Sequence, residues 1–171
     1  MNQTCAAMGR VQLKHYPERI AEIDRAMNYF ADQLDKIPCL RVVRPAKGSG
    51  LTKGGWYFPL CHYDKNKISS LCAGKFAEAM NAEGVSCGNG ANSPLHLHNY
   101  FHTADIFNMG KPTVIAFGQR DVRQGAGKLP VTESTVENVI QLPWFKRFDK
   151  DSIDRYVAAY RKVAEAAKEL V

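Results

Sequence analysis

Gly84-Val85-Ser86-Cys87-Gly88-Asn89-Gly90-Ala91-Asn92-Ser93-Pro94-Leu95-His96-Leu97-His98-Asn99-Tyr100-Phe101-His102 is the stretch around which the chain reads. A helical pattern runs into it and stops at Gly84, where a left-handed C-terminal cap suits a residue without a Cβ. The short apolar piece Val85–Cys87 then leads into a loop of small residues and side-chain amides. Gly84, Gly88 and Gly90 let the backbone turn sharply or come close to another group. His96, His98 and His102 follow. A ligand would be met here, and the flanking sequence reads as support.

Working back from this loop, Cys72 to Glu83 predicts a helix whose inward face carries Cys72, Phe76, Ala79 and Met80, weakened by Gly74. Trp56 to His62 predicts a strand, marked by its aromatic residues and Leu60. Gly48 to Gly55 holds four glycines with Lys53 and invites a phosphate-loop reading. The spacing G-x-x-x-x-G-K-[ST] is absent, so a hairpin connection fits better. Leu40 to Val43 predicts a short strand after Pro38 ends a long helix. In that helix Tyr16, Ile20, Ile23, Met27, Phe30, Leu34 and Ile37 form a narrow apolar seam. Pro17 removes a backbone donor and is expected to break or kink it from the piece Thr4–Leu13. The chain opens directly into that piece, with Ala6, Ala7, Met8 and Val11 available for burial, which reads as a fragment of something longer.

Working forward, the glycine- and charge-rich segment Lys111–Lys128 reads as a surface excursion with a short strand at Val114–Phe117. Pro130 suits a helix start, and Thr132–Asn138 predicts a short helix. Val139–Leu142 predicts a strand stopped by Pro143. Asp149 or Asp151 caps a final helix that turns Ile153, Tyr156, Val157, Tyr160, Val163, Ala164 and Ala167 inward. Few short strands among several helices predict an α+β layer: a small, mostly antiparallel sheet with helices packed on it.

The 171 residues suit one domain, and 45% hydrophobic with 23% charged residues place the chain among ordinary globular proteins. No apolar run reaches the ~18 residues that a membrane span needs. The N-terminus does not read as a signal peptide. Five scattered cysteines without a C-x-x-C pair read as reduced, cytosolic thiols. A formal charge of +6 raises nucleic acid as a partner. The basic residues form no stripe with interleaved aromatics, so a mildly basic surface, or attraction for an anionic small molecule, fits better.

Cys87, His96, His98 and His102 are a possible zinc set. Their spacing lacks the tight pairs of zinc motifs, and loop histidines bonded to neighbours are the plainer reading. Cys87 with His96 as a nucleophilic pair finds no readable oxyanion site, and a small buried thiol is the plainer reading there too. Asn89 and Asn92 have two open readings: contacts for ligand hydroxyls, or residues that tolerate left-handed turns. The residues alone thus reach a soluble α+β domain with one polar, glycine-rich loop fit for ligand contact.

The order of segments resembles the C-terminal part of the DegT/DnrJ/StrS family of pyridoxal-phosphate-dependent sugar aminotransferases. Met1 through Leu13 is similar to the helix that leaves that family's large domain, and Trp56-Tyr57-Phe58-Pro59-Leu60 to its aromatic strand. Phe76 through Val85 resembles its "F-x-x-A-L-x-A-E-G-I" helix and turn, and Pro94-Leu95-His96 its "P-L-H" loop. Leu129-Pro130-Val131-Thr132-Glu133 and Leu142-Pro143 resemble its closing "L-P-x-x-E" and "L-P" elements. The resemblance implies the small domain of the aspartate-aminotransferase fold. In that scheme residues 1–37 are the helix linking from a large domain that is absent here, and 38–171 are the α+β body.

The same resemblance implies amino transfer, from glutamine or glutamate, to a ketosugar or keto-cyclitol. The Schiff-base lysine and most pyridoxal phosphate contacts would lie in the large domain, so no residue of this chain is expected to be catalytic. Asn89, Gly90, Asn92, His96 and His98 are the expected substrate-binding residues, with no metal, no nucleic acid and no membrane as partners. A homodimer is expected of the full-length protein. Many members carry a His-Tyr pair six residues before the "P-L-H" histidine. That pair falls on Gly90-Ala91 here, which points away from the usual nucleotide-sugar acceptor and toward a cyclitol or an unusual sugar. The rival expectation is a self-contained, non-catalytic small-molecule-binding or regulatory module.

Overall fold

The computed structural model describes residues 2–171. The first helix, α1 (Gln3–Leu34), is capped by the Asn2 side chain, which accepts from the Cys5 amide at 2.8 Å. It runs unbroken through Pro17, against expectation. A proline leaves the carbonyl four residues back without its helical donor. Here that carbonyl belongs to Leu13 on an exposed turn, where water can take the donor's place. The apolar seam is buried from Ile23 onward, while Met8, Val11, Leu13 and Tyr16 stay exposed. The expected burial of Ala7, Met8 and Val11 fails: these side chains stay exposed, with no helix or strand among the described residues covering them.

Four short strands follow, β1 (Leu40–Val42), β2 (Leu60–Tyr63), β3 (Gly88–Asn89) and β4 (Val139–Gln141). They form one antiparallel sheet in the order β1-β2-β4-β3. Period-two burial is plain in it: Leu40, Val42, Cys61 and Tyr63 point into the core, while Arg41 and His62 face out. Helices α2 (Ala73–Ala82) and α5 (Lys150–Glu165) join α1 over the buried face. Phe30, Phe76 and Tyr160 meet there edge-on or tilted, with ring centroids 5.9 and 6.2 Å from Tyr160. Asp149 caps α5, accepting from the Ser152 amide. This is the α+β layer the sequence predicts.

Four further expectations need correction. Trp56–Phe58 is not strand: Trp56 and Phe58 hold φ of +55° and +50°, and β2 starts only at Leu60. A tertiary bond overrides the aromatic strand preference, since the buried Trp56 indole donates to Asp24 of α1 at 2.9 Å. Val114–Phe117 forms no strand but a single 3-10 turn over Thr113–Ile115, with no neighbouring strand to pair with. The helix expected at Thr132–Asn138 is α4 (Pro130–Ser134), begun two residues earlier by Pro130, whose fixed φ suits a helix start. Cys72 is exposed at the N-cap position of α2 rather than turned inward, because the regular helix begins only at Ala73.

Candidate functional site

The central loop is hung from the end of α2 and from β4. Gly84, at φ +81°, closes α2 with paired bonds from Val85 to the Met80 carbonyl and from Gly84 to that of Asn81, both 3.0 Å. This is a Schellman closure, and it buries Val85 beside the helix it ends. Asn81 then grips the departing chain: its amide donates to the Cys87 carbonyl at 2.7 Å and accepts from the Cys87 amide at 3.3 Å. Sequence reasoning missed Asn81. A polar residue in the last turn of a helix whose other face is apolar is the one signal for it.

Asn89 pairs with Ile140 across the sheet, and the buried Gly90 donates to the Val139 carbonyl at 2.7 Å. Gly90 has φ +73°, and a Cβ there would stand 3.2 Å from the Val136 carbonyl oxygen, so both backbone and space call for glycine. Gln141 donates to the Gly90 carbonyl at 3.2 Å. The side chains of Asn89, Asn92 and His98 are exposed and make no hydrogen bond among the described residues. Asn89 and Gly90 are thus held by backbone, with the Asn89 and Asn92 side-chain amides free, whereas His98 stands further along, at the N-cap position of α3 (Asn99–Thr103).

His96 is the exception among the expected site residues. Its Nε2 lies 2.9 Å from Oε1 of Glu133, which sits in α4 37 residues away. Glu133 also accepts from the Gly127 amide at 2.8 and 3.0 Å and from the Leu129 amide at 3.1 Å. The Gly127 amide and then the His96 ring hold its carboxyl below the ordinary glutamate value. His102 bonds through Nε2 to the His96 carbonyl at 2.7 Å. One carboxylate therefore closes the base of the 97–128 excursion. Beside it runs a groove of about 360 Å³ lined by Leu95, His96, Phe101, His102, Val122 and Leu129 among others.

The four side chains weighed as zinc ligands do not converge, since Cys87 is in the core and His96 and His102 bond elsewhere. Among the described residues, no group of three or more His, Cys, Asp or Glu stands ready for a metal. Burial pushes the Cys39 and Cys87 thiols up to about 11, so neither is a ready nucleophile. A larger hollow of about 860 Å³ lies over Arg41, His62 and Lys65 on the outer side of β1 and β2.

Lys53 is a lysine whose amine is partly withdrawn from solvent. Burial holds the Lys53 amine below its ordinary value, but it donates to the Val43 carbonyl at 2.7 Å and lies over the Trp56 ring at 5.3 Å. The groove beside it is about 130 Å³, short of the ~300 Å³ at which ligand pockets begin. Lys53 is thus held by its neighbours beside a groove too small for a ligand of cofactor size.

The architecture is shared with solved structures. The aminotransferase TlmJ from Streptoalloteichus hindustanus is 20% identical with a TM-score of 0.64, over 97% of this chain and 37% of that one. DesI, solved in the presence of its TDP-sugar product, is 21% identical with a TM-score of 0.64, over 99% and 37%. The E. coli GDP-4-keto-6-deoxy-D-mannose-3-dehydratase with bound hydrated PLP is 19% identical with a TM-score of 0.56, over 90% and 34%. The fold is thus that of part of a fold-type I pyridoxal-phosphate aminotransferase, and the chain spans a little over a third of the length of these structures. By sequence it belongs to the DegT/DnrJ/EryC1/StrS aminotransferase family, matched over residues 1–161. No curated protein matches it. No helix among the described residues is long and apolar enough to cross a membrane.

Proposed function

We propose that this chain is the small-domain portion of a pyridoxal-phosphate-dependent aminotransferase that passes an amino group from glutamine or glutamate to a ketosugar or keto-cyclitol. The observation that carries the reading is the central loop in a chain of this family: a backbone fixed by Gly90 and Asn81, with the Asn89 and Asn92 amides free. Amides both donate and accept, which suits a ring bearing several hydroxyls. A site that bonds a hydroxyl discriminates strongly when that bond is lost, because its own groups are left unpaired.

Pyridoxal phosphate supplies the electron sink in this family. The residues of this chain bind and orient the acceptor: Asn89, Asn92 and His98 from the loop, His96 from the groove wall, and Gly90 by allowing close approach. The Schiff-base lysine and most cofactor contacts belong to a large domain outside this chain, and the complete enzyme is a homodimer. Gly90-Ala91 in place of a His-Tyr pair favours a cyclitol or an unusual sugar over a nucleotide sugar.

The test has two arms. Reduction of this chain with borohydride in the presence of pyridoxal phosphate should leave no single, stoichiometric pyridoxyl-lysine; a specifically labelled lysine with turnover would sink the small-domain reading. In a longer protein that carries the lysine, Asn92→Ala should slow the half-reaction with the keto acceptor and spare the half-reaction with the amino donor. Unchanged acceptor rates would reduce the loop to a connector.

A further inference from the structure

His96 sits in the 3-10 turn Leu95–Leu97 with its side chain only 8% exposed, and Glu133 faces it with 22% exposed. Every contact that reaches the Glu133 carboxylate comes from a donor: the amides of Gly127 and Leu129, and the His96 ring. An ionised carboxylate accepts only, so Nε2 of His96 must carry a hydrogen. In the neutral ring Nδ1 is then left with a lone pair, because the bond made by one nitrogen fixes the state of the other. Nδ1 makes no hydrogen bond among the described residues. It is not sealed away either, since the Tyr160 hydroxyl is the buried, unpartnered side-chain atom found among them.

The groove wall supplies the rest of the argument. Leu95, Phe101, Val122 and Leu129 give it an apolar lining next to His96. Arg123 also lines it, but its guanidinium is bound by both oxygens of Asp121 and by the His102 carbonyl, so it offers no free charge for an anion. His102 is turned to the His96 carbonyl and steadies the turn.

We propose that Glu133 and His96 form a dyad that makes Nδ1 of His96 a fixed hydrogen-bond acceptor on the wall of this groove, and that the groove takes a neutral ring carrying an O–H or N–H donor. A hydroxylated ring lays its C–H face on Leu95 and Phe101 and donates one hydroxyl to Nδ1. Glu133 is a positioning residue and His96 the contact. In identifying that ring with the amino acceptor the inference rests on the function proposed above; the direction of the hydrogen bond does not.

The experiment is ¹⁵N spectroscopy of the imidazoles in this chain, with phenol and anisole as probes. With the ring neutral, the wild-type His96 should show protonated Nε2 and bare Nδ1, and Glu133→Gln should give a mixture of tautomers. Phenol should bind roughly tenfold tighter than anisole, which has the ring without the donor, and should shift Nδ1. His96→Phe keeps a ring and removes the lone pair, and should abolish that preference. Equal tautomers in the wild type, or equal binding of the two probes, overturns the dyad, and neither readout needs a variant to fold. If the tautomer and the phenol preference both hold while His96→Ala leaves the acceptor half-reaction of the longer protein unchanged, the dyad stands and the proposed function fails.

Discussion

Tyr160 should be improved by losing its hydroxyl. The residue is fully buried in α5, its ring packs against Phe30 and Phe76, and its hydroxyl finds no hydrogen-bond partner. Cys87 neighbours the hydroxyl without meeting hydrogen-bond geometry, and burial pushes the phenol well above its ordinary pKa. Stranding a buried polar group costs about 1–3 kcal/mol. Tyr160→Phe removes that cost and leaves a gap of roughly 12 Å³, worth about 0.3 kcal/mol at ~24 cal/mol per Å³. The ring contacts are retained, so the net expectation is a gain of about 1 kcal/mol or more. That is roughly 2–4 °C per kcal/mol in Tm for a chain of this size. Urea unfolding followed by circular dichroism should show a raised midpoint at unchanged slope. A loss of more than about 0.5 kcal/mol refutes the reasoning, because it would show that the hydroxyl has a partner, with the Cys87 sulfur the first suspect.

Gly90→Ala should destabilise by about 1–2 kcal/mol, since alanine would be forced into the left-handed region and against Val136; an unchanged urea midpoint would show that the loop relaxes freely. Native-state titration with a thiol reagent should label Cys5 and Cys72 quickly and Cys39, Cys61 and Cys87 only on unfolding, and fast modification of a third thiol would contradict the burial. The Glu133 carboxyl lies below its ordinary value in the fold, so its contribution to stability is present above the unfolded value, near 4.5. That contribution disappears as pH falls through the folded value. The stability difference between wild type and Glu133→Gln should therefore be full at neutral pH and vanish in acid; a difference independent of pH would mean that the charge is idle.

What was legible in the sequence was local. The α5 seam, its cap at Asp149 (one of two candidates), the Gly84 stop and strands β1 and β4 follow from periodicity and capping within a few residues of each position. By the same reading β3 at Gly88–Asn89 is loop. The errors lie where a distant partner decides. Trp56 reads as strand until its indole is seen bonded to Asp24, 32 residues earlier. Pro17 reads as a break because its cost is judged in a helix interior, whereas the exposed turn at Leu13 gives the freed carbonyl access to water. At the site, the sequence marked Gly90 and His96 and left Asn89 and Asn92 between two readings. It did not pair His96 with Glu133, although an acidic residue in the first turn after Pro130 was a visible anchor for a donor arriving from elsewhere.

The first half of α1 has a mechanical meaning. From Gln3 to about Arg19 the helix stands exposed, while its second half is gripped by the core. At about 1.5 Å per residue, the free arm is roughly 25 Å long. A tilt of ~5° about its root at Ile20 would carry the tip through about 2 Å, so a small repacking of Met27 or Phe30 is amplified into displacement at the far end. Met27 and Phe30 are wholly buried at the root of this arm, so a substitution that loosened their packing would loosen the arm's aim as well.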